Sequence, residues 1–589
     1  MRATLLATVV IIVIAAASEA RAYTPAPKGS LEDQSLQLAL KLRNLRVDPA
    51  PTGKRVRKIH VVTLPVFVKR DGWLEFFNVF HWKTKEYIIE REVVMRPGKI
   101  WDPERIKETE RRLRDPLFTS LVVTAPVVSP VAGTVDYLVV TRDVWSLRLN
   151  SNYNLQSDSA NGTVLALLLL APSENNVFGY RKQAALVFSM DLGKYLIGPT
   201  YIDKNLMGTR MRLSATASGI FNRKTDELEG STSTTILTYP FWSLATKWSG
   251  SLSVAHFDGV IRAFQGLDLL RIPSPSAPPQ DPNFGLPFEY RRRQVVAQTS
   301  ASRSIGRTVI HRFSLGYRLA RTRASVLDLF PSRDPRDIDA VLPRSEDVSR
   351  PFVAYSMFTP VYKRYRNIQT YDLAEDRRLG PTAEAQIGYG AEILGSDFEH
   401  VTLSATTGWV GDIRGDGFLS VGVGGFGRLQ DGALIDRQLS MSAKLVLPRW
   451  FKLFRVAGRV SYAGRFKESQ NRFFQLGGLS GLRGYEIGRF RGLKRVIGNL
   501  EARSKSWRVL FTRVGGVVFV DAGGAADRLA DIGSNDQFGL PLWGVDIGFG
   551  LRSLFPQLGP QVYRFDLSFP LNGVSAGSPR FIAGFDQVF

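Results

Sequence analysis

The sequence predicts a transmembrane antiparallel β-barrel preceded by one small α/β domain, and three observations carry that prediction. After Arg148 the 589-residue chain shows no helix of ordinary length. It runs instead as segments of about ten residues with two-residue periodicity, the pattern of strands that face lipid and lumen alternately. Mean hydropathy is only −0.07, and the longest apolar block beyond the N-terminus, Val164 to Ala171, is too short to cross a membrane as a helix. Finally, the chain opens on an export signal. Arg2 forms a short basic region, Ala3 to Ala17 is hydrophobic, and Ala20-Arg21-Ala22 is a small-x-small cleavage pattern, so residues 1–22 are expected to be removed and the mature chain to begin at Tyr23.

Residues 23–54 read as a leader. Leu31, Leu36, Leu38, Leu40, Leu42 and Leu45 fit neither a clean helix face nor a strand, and the expectation is a loosely packed linker, with a short helix as the alternative. Residues 55–146 read as a compact α/β unit. A strand is predicted over Val56 to Phe67 and an amphipathic helix over Thr84 to Met95, stopped by Pro97-Gly98. A second helix begins at Asp102-Pro103-Glu104, with Asp as N-cap and Pro at the first helical position. Strands over Leu121 to Val128 and Thr134 to Thr141 complete a β-α-α-β-β order. With PGKIWDPERIKETERRLRDPLF at its centre this unit resembles a single POTRA domain, which implies a periplasmic module that receives clients by adding an extended peptide to a sheet edge. The long first connection, Lys69 to Trp82, departs from that pattern and carries Trp73, Phe76, Phe77, Phe80 and Trp82. It is expected to cap the small domain's core, with a client-binding or membrane-interface surface as the alternative.

Residues 147–589 read as the barrel. Tyr563 to Phe569 is the cleanest strand, apolar at every odd position and polar at every even one, and Leu419, Val421 and Val423 alternate with Ser420, Gly422 and Gly424. Asn176-Val177-Phe178-Gly179-Tyr180-Arg181 and Asn205-Leu206-Met207-Gly208-Thr209-Arg210 repeat at the spacing of two strands and a hairpin, and are expected to be tight periplasmic turns. Insertions near Gln265 to Pro287 and Val326 to Pro351 are expected to be extracellular loops. The segment count gives about twenty strands.

The stretch on which the rest is organised is Asn471 to Gly524. A glycine-rich loop, NRFFQLGGLSGLRGYEIGRF, precedes a strand in which Asn499, Glu501 and Arg503 share one face, and a second strand in which Asp521 lies opposite Val520 and Ala522. Charges on a strand face need a wet or paired environment. Leu-Arg-Gly-Tyr, then Asn-x-Glu-x-Arg, then Phe-x-Asp-x-Gly resembles the signature of the BamA/TamA family of outer-membrane proteins, the bacterial surface antigen superfamily. That resemblance implies a sixteen-stranded barrel in which the loop tip, here Arg483-Gly484-Tyr485, tucks into the lumen and pairs with wall acids, here Glu501 and Asp521. It also implies outer-membrane residence and a C-terminal insertion signal formed by Phe585 and the terminal Phe589, and a helix in the leader, if present, would resemble the plug helix of two-partner secretion transporters.

Composition narrows function. There is no cysteine, and five histidines (His60, His81, His256, His311, His400) are scattered, so neither a metal nor another cofactor is expected. No enzyme is expected either: Gly478-Leu479-Ser480-Gly481-Leu482 misses the nucleophile-elbow pattern at its last position. Net charge is +23, and nine arginines with no acids lie between Arg291 and Arg323. These read either as a basic stripe facing an anionic client, a lumenal path or lipopolysaccharide phosphate, or as arginines snorkelling at the barrel rims. The expected partners are outer-membrane lipid, lipopolysaccharide and unfolded or secreted polypeptides, with periplasmic accessory proteins possible partners and nucleic acid excluded. The expected function is an insertase or translocase for polypeptides, against a two-partner-secretion or lipid-export pore or a passive channel.

Overall fold

The computed structural model describes residues 23, 25–67, 69–115, 118–158, 162–277, 285–371, 373–535, 541–555, 561–573, 576–585 and 587. The signal segment and Phe589 lie outside these residues. The chain divides into two units, one built from residues up to Leu64, Ile89–Leu113 and Leu121–Thr141, the other from Pro65–Ile88, Arg114–Ser120 and Arg142 onward.

The smaller unit is a three-stranded sheet in the order Arg55–Leu64, Thr134–Asp143, Thr119–Val128. Its central strand is buried on both faces. Val135, Tyr137 and Val139 pack with Val56, Ile89, Val93, Met95 and Leu113, the last at the end of the helix Pro103–Leu113. Leu138 and Val140 point the other way and pack with Leu64, Val123 and a helix, Leu31–Arg43. This helix corrects the expectation of a loose linker. Ser30 caps it, its Oγ accepting the Asp33 amide at 3.2 Å, and Asn44 ends it in the left-handed conformation. Leu36, Ala39 and Leu40, at i, i+3 and i+4, form its buried face, whereas Leu42 is exposed. That face is spent in the small unit's core.

The first connection is corrected as well. Lys69–Phe80 is 3-10 helix broken by a kink at Gly72, whose φ is +64°, and Pro65–Ile88 belongs to the larger unit rather than capping the small sheet. Phe67 and Phe77 pack on Trp145 at 5.2 and 5.0 Å, Trp82 packs on Phe178 at 5.1 Å, and the Asn78 side chain bonds both backbone polar groups of Phe67. Trp73, Phe76 and Phe80 stay exposed.

Among the described residues, the larger unit is a closed barrel of twenty antiparallel strands, the last lying beside the first. This agrees with the segment count and exceeds the sixteen that the family resemblance implies. The extra strands are real walls, each with register partners on both sides. Two strands are interrupted and resume on the same neighbour: Glu346–Phe358 continues as Val361–Arg366, and Lys494–Ser504 as Trp507–Val509. Loop lengths separate the two rims. The turns after Glu174 and Asp203 are at the short-turn rim, with Phe178 and Met207 at positive φ and Gly179 and Gly208 following them. The excursions after Arg262, Ser325 and Phe466 are all at the other rim. There Leu270, Leu286, Phe288, Phe330 and Val341 make a separate core that Phe473 joins. The second excursion ends at Glu346 rather than Pro351, which sits inside a strand opposite Tyr317. No helix among the described residues is long and apolar enough to cross a membrane.

Candidate functional site

Residues 467–493 leave the fifteenth barrel strand, Phe454–Phe466, form a small hairpin of Phe474–Leu476 with Phe490–Gly492, and return to the sixteenth, Lys494–Ser504. The tip between the hairpin strands is buried, and so are the wall residues around it. Alternation puts Asn499, Glu501 and Arg503 of the sixteenth strand, and Phe519 and Asp521 of the seventeenth (Thr512–Ala526), on the inner face, while Leu500, Val518 and Val520 are exposed outside.

The Arg483 guanidinium is shared among three carboxylates. Nε and Nη2 fork onto the two oxygens of Asp521 at 2.6 and 2.8 Å, and Nη1 bonds Glu501 at 2.8 Å and Asp566 at 3.0 Å. Its plane lies over the Phe519 ring, 3.3 Å from the centroid. Side-chain exposure is 2% for the arginine and 0% for each carboxylate, so every charge is held by partners rather than by bulk water. Glu501 is held a second time by Arg503 at 2.7 Å, and Asp566 by Arg552 at 2.5 Å. The Asn499 amide bridges Asp521 and the Gly481 carbonyl at 2.7 and 2.8 Å.

The other tip residues have separate tasks. Gly484 lies where a Cβ would stand 2.5 Å from the Asp546 Cβ, so only glycine fits that close approach. Tyr485 stacks edge-on to Phe490, and its hydroxyl reaches the Val545 backbone and Asn572. Glu486 bonds Arg580, the first residue of the last strand Arg580–Phe585, at 2.8 Å. The tip is therefore tied to the sixteenth through twentieth strands. Phe585 is the last residue of that closing strand and pairs in register with Tyr563.

Sequence reasoning named Arg483, Gly484, Tyr485, Glu501 and Asp521, and the structure brings all five together. It missed Asp566, Arg552, Arg564 and Asp546. Their signal was present: Arg564 and Asp566 occupy the polar face of the cleanest alternating segment. Asp546 differs from the rest. It is opposite Asp521 in register, Ser568 donates to its Oδ1 at 2.7 Å, and its buried Oδ2 has no hydrogen-bond partner among the described residues.

The arginine-rich segment does not form one stripe. Alternation directs Arg292, Arg312 and Arg318 inward. Arg291, Arg293, Arg321 and Arg323 face outward at the long-loop rim, where they pair with Asp258 and Asp347.

A family model for the Omp85 superfamily domain matches residues 207–581, which includes the loop and all four wall carboxylates. The chain belongs to the Omp85 superfamily. Like the barrels of that family, this Omp85 protein is an outer-membrane protein. Solved structures similar to it include BamA from Haemophilus ducreyi lacking POTRA domains 1–3 (13% identity, 91% of this chain and 84% of that chain covered, TM-score 0.33). CdiB from Acinetobacter baumannii (12%, 94% and 81%, 0.38) and CdiB from Escherichia coli (11%, 91% and 76%, 0.41) are similar as well. No curated protein matches this chain.

Proposed function

We propose that this Omp85 protein is a polypeptide insertase or translocase of the BamA/TamA type, and that it carries out no bond chemistry. The observation that supports the reading most is the asymmetric wiring of the barrel. The loop tip is bound by buried ion pairs to the strands that lead up to the seam, and among the described residues the seam is closed by a strand of six, Arg580–Phe585, set beside one of twelve, Leu147–Asp158. A wall held up to and including its short closing strand concentrates opening at the junction of that strand with the first. An opened strand edge offers unpaired backbone groups on which a client strand can form. In this reading the long-loop rim is extracellular, and the small β-α-α-β-β unit is a POTRA-like periplasmic module that receives unfolded clients. The exposed Trp73, Phe76 and Phe80 offer apolar surface for them, and lipopolysaccharide contacts the outward arginines.

The test is reconstitution of the full mature chain in liposomes with a urea-unfolded outer-membrane barrel as client, followed by heat-modifiable gel migration. The proposal expects the client to fold faster than in empty liposomes or in liposomes carrying a passive porin. Equal rates in all three would reject it.

A further inference from the structure

The outer wall carries a recess on its lipid-facing side. On the outward face the register row Tyr355, Ala385, Ala405, Gly425 crosses the tenth to thirteenth strands, and its three last members have almost no side chain. The next row toward the long-loop rim is Val353, Ile387, Leu403, Gly427, where the first three are large and exposed. Between these rows lies a groove of about 670 Å³. It spans the ninth to fourteenth strands, five spacings of about 4.8 Å or roughly 24 Å, and because strands of such barrels tilt by about 35–45° it descends obliquely through the membrane zone. Phe313 and Tyr355, with ring centroids 5.2 Å apart, close its lower end.

The upper end is cationic. A bulge between Phe426 and Arg428 shifts the register of the fourteenth strand, Ala433–Val446, so that Asp436 turns inward to Arg428 while Arg437 remains beside outward Gly427 and lines the groove. Among the described residues the Arg437 Nε is buried without a hydrogen-bond partner, and its guanidinium lies 5.7 Å from the Phe466 ring. Lys494 covers the same ring at 3.8 Å, its Nζ donating to the Arg465 carbonyl. Two cations thus flank one aromatic ring at the long-loop rim. Asp527 is the acid in their field, and it accepts the Leu493 amide.

We propose that this groove is a binding site for one phosphorylated outer-leaflet lipid, with an acyl chain lying over Ala385, Ala405 and Gly425 and a phosphate on Arg437 and Lys494. The apolar length fits an alkyl chain, and the two cations complement a phosphate monoester more fully than the singly charged, ammonium-neutralised phosphodiester of a zwitterionic lipid. A lipid held there would be a fixed part of the wall. The inference rests on the barrel's place in the outer membrane and on the proposed extracellular placement of the long-loop rim, and not on insertase activity.

The test uses the full mature chain in detergent, stripped of lipid, incubated with hexa-acyl lipid A or with phosphatidylethanolamine, and examined by native mass spectrometry. The wild type is expected to retain one lipid A and to lose phosphatidylethanolamine. Arg437→Gln and Gly425→Leu should each cut the lipid A-bound fraction at least fivefold, and Arg437→Lys should keep most of it. A Cβ at Gly425 meets nothing nearer than the Gln438 carbonyl at 3.8 Å, so that variant fills the groove without disturbing the wall. Ala405→Leu serves the same purpose if gel migration shows Gly425→Leu unfolded. Unchanged lipid A retention in both kinds of variant overturns the proposal. So does equal retention of the two lipids, or protection of the groove by a co-purifying protein instead of lipid.

Discussion

Two parts of the barrel's inner face use arginine in opposite ways. Against the sixteenth to nineteenth strands, the loop's Arg483 and the wall's Arg503, Arg552 and Arg564 lie among Glu501, Asp521 and Asp566, and every carboxylate of that set has a cation within salt-bridge distance. On the ninth and tenth strands Arg318 stands directly opposite Arg350, and neither forms a salt bridge among the described residues. Arg318 reaches only the Gln298 side chain, at 3.0 Å. Burial separates the two. The first set is nearly inaccessible, so each charge needs its partner. The second is only half-buried, and the covered Arg350 Nε has no hydrogen-bond partner among the described residues. The difference teaches that this barrel pairs its lumenal charges where the loop tip packs against them and leaves like charges opposite one another where it does not.

That comparison breaks first at the dry cluster. Arg483→Ala should strip three carboxylates of a shared cation and cost about 3–5 kcal/mol, less where water enters, read as a lower thermal midpoint and as protease access to residues 467–493. Arg483→Lys should recover little, since an ammonium cannot fork across Asp521 while bonding Glu501 and Asp566. Gly484→Ala should come next. Its Cβ would meet Asp546 and force the tip back, at about 1–3 kcal/mol by the same assays, with the charges intact. Asp546→Asn sharpens the comparison from within the cluster. It removes a carboxylate that faces Asp521 and has no cation of its own, so the thermal midpoint should stay level or rise. A loss as large as that of Arg483→Ala would show that Asp546 is a fourth member of the lock. The smallest effect belongs to the unpaired face: Arg350→Gln relieves a like-charge pair and should change stability by about 0.2–1 kcal/mol, in the stabilising direction.

Much of this was legible in the sequence, for physical reasons that also mark where legibility ends. The alternation that exposes Leu500 and buries Glu501 is a property of any strand, and the tip declares itself through glycines that permit tight turns. Asp566 and Arg552 escaped because a polar residue on a strand's inner face looks the same whether it meets water or a guanidinium, and the partner is eighty-three residues away along the chain. The helix Leu31–Arg43 escaped for a different reason. Its face is completed by Ala39, which a count of leucines passes over, while Leu38 and Leu42 mislead because they lie outside it. The sign that a cover was needed lay in Leu121 to Val128, whose residues are apolar at both parities and so need burial on two faces. Strand number was readable by counting segments and misread by analogy. The aromatic connection was misassigned because sequence gives no hint that Trp145, beyond the small sheet, is what Phe67 and Phe77 pack against.

The measurement that bears most directly on the central claim is a double-mutant cycle between Arg483 and Asp521, read as the thermal midpoint of the detergent-solubilised barrel and as protease access to the loop. One shared, buried interaction predicts that Arg483→Ala and Asp521→Ala each destabilise, and that the double variant loses clearly less than their sum, with a coupling of about 1–3 kcal/mol. Strict additivity of the two substitutions would contradict the account, for it would mean that the tip is not pinned to this wall.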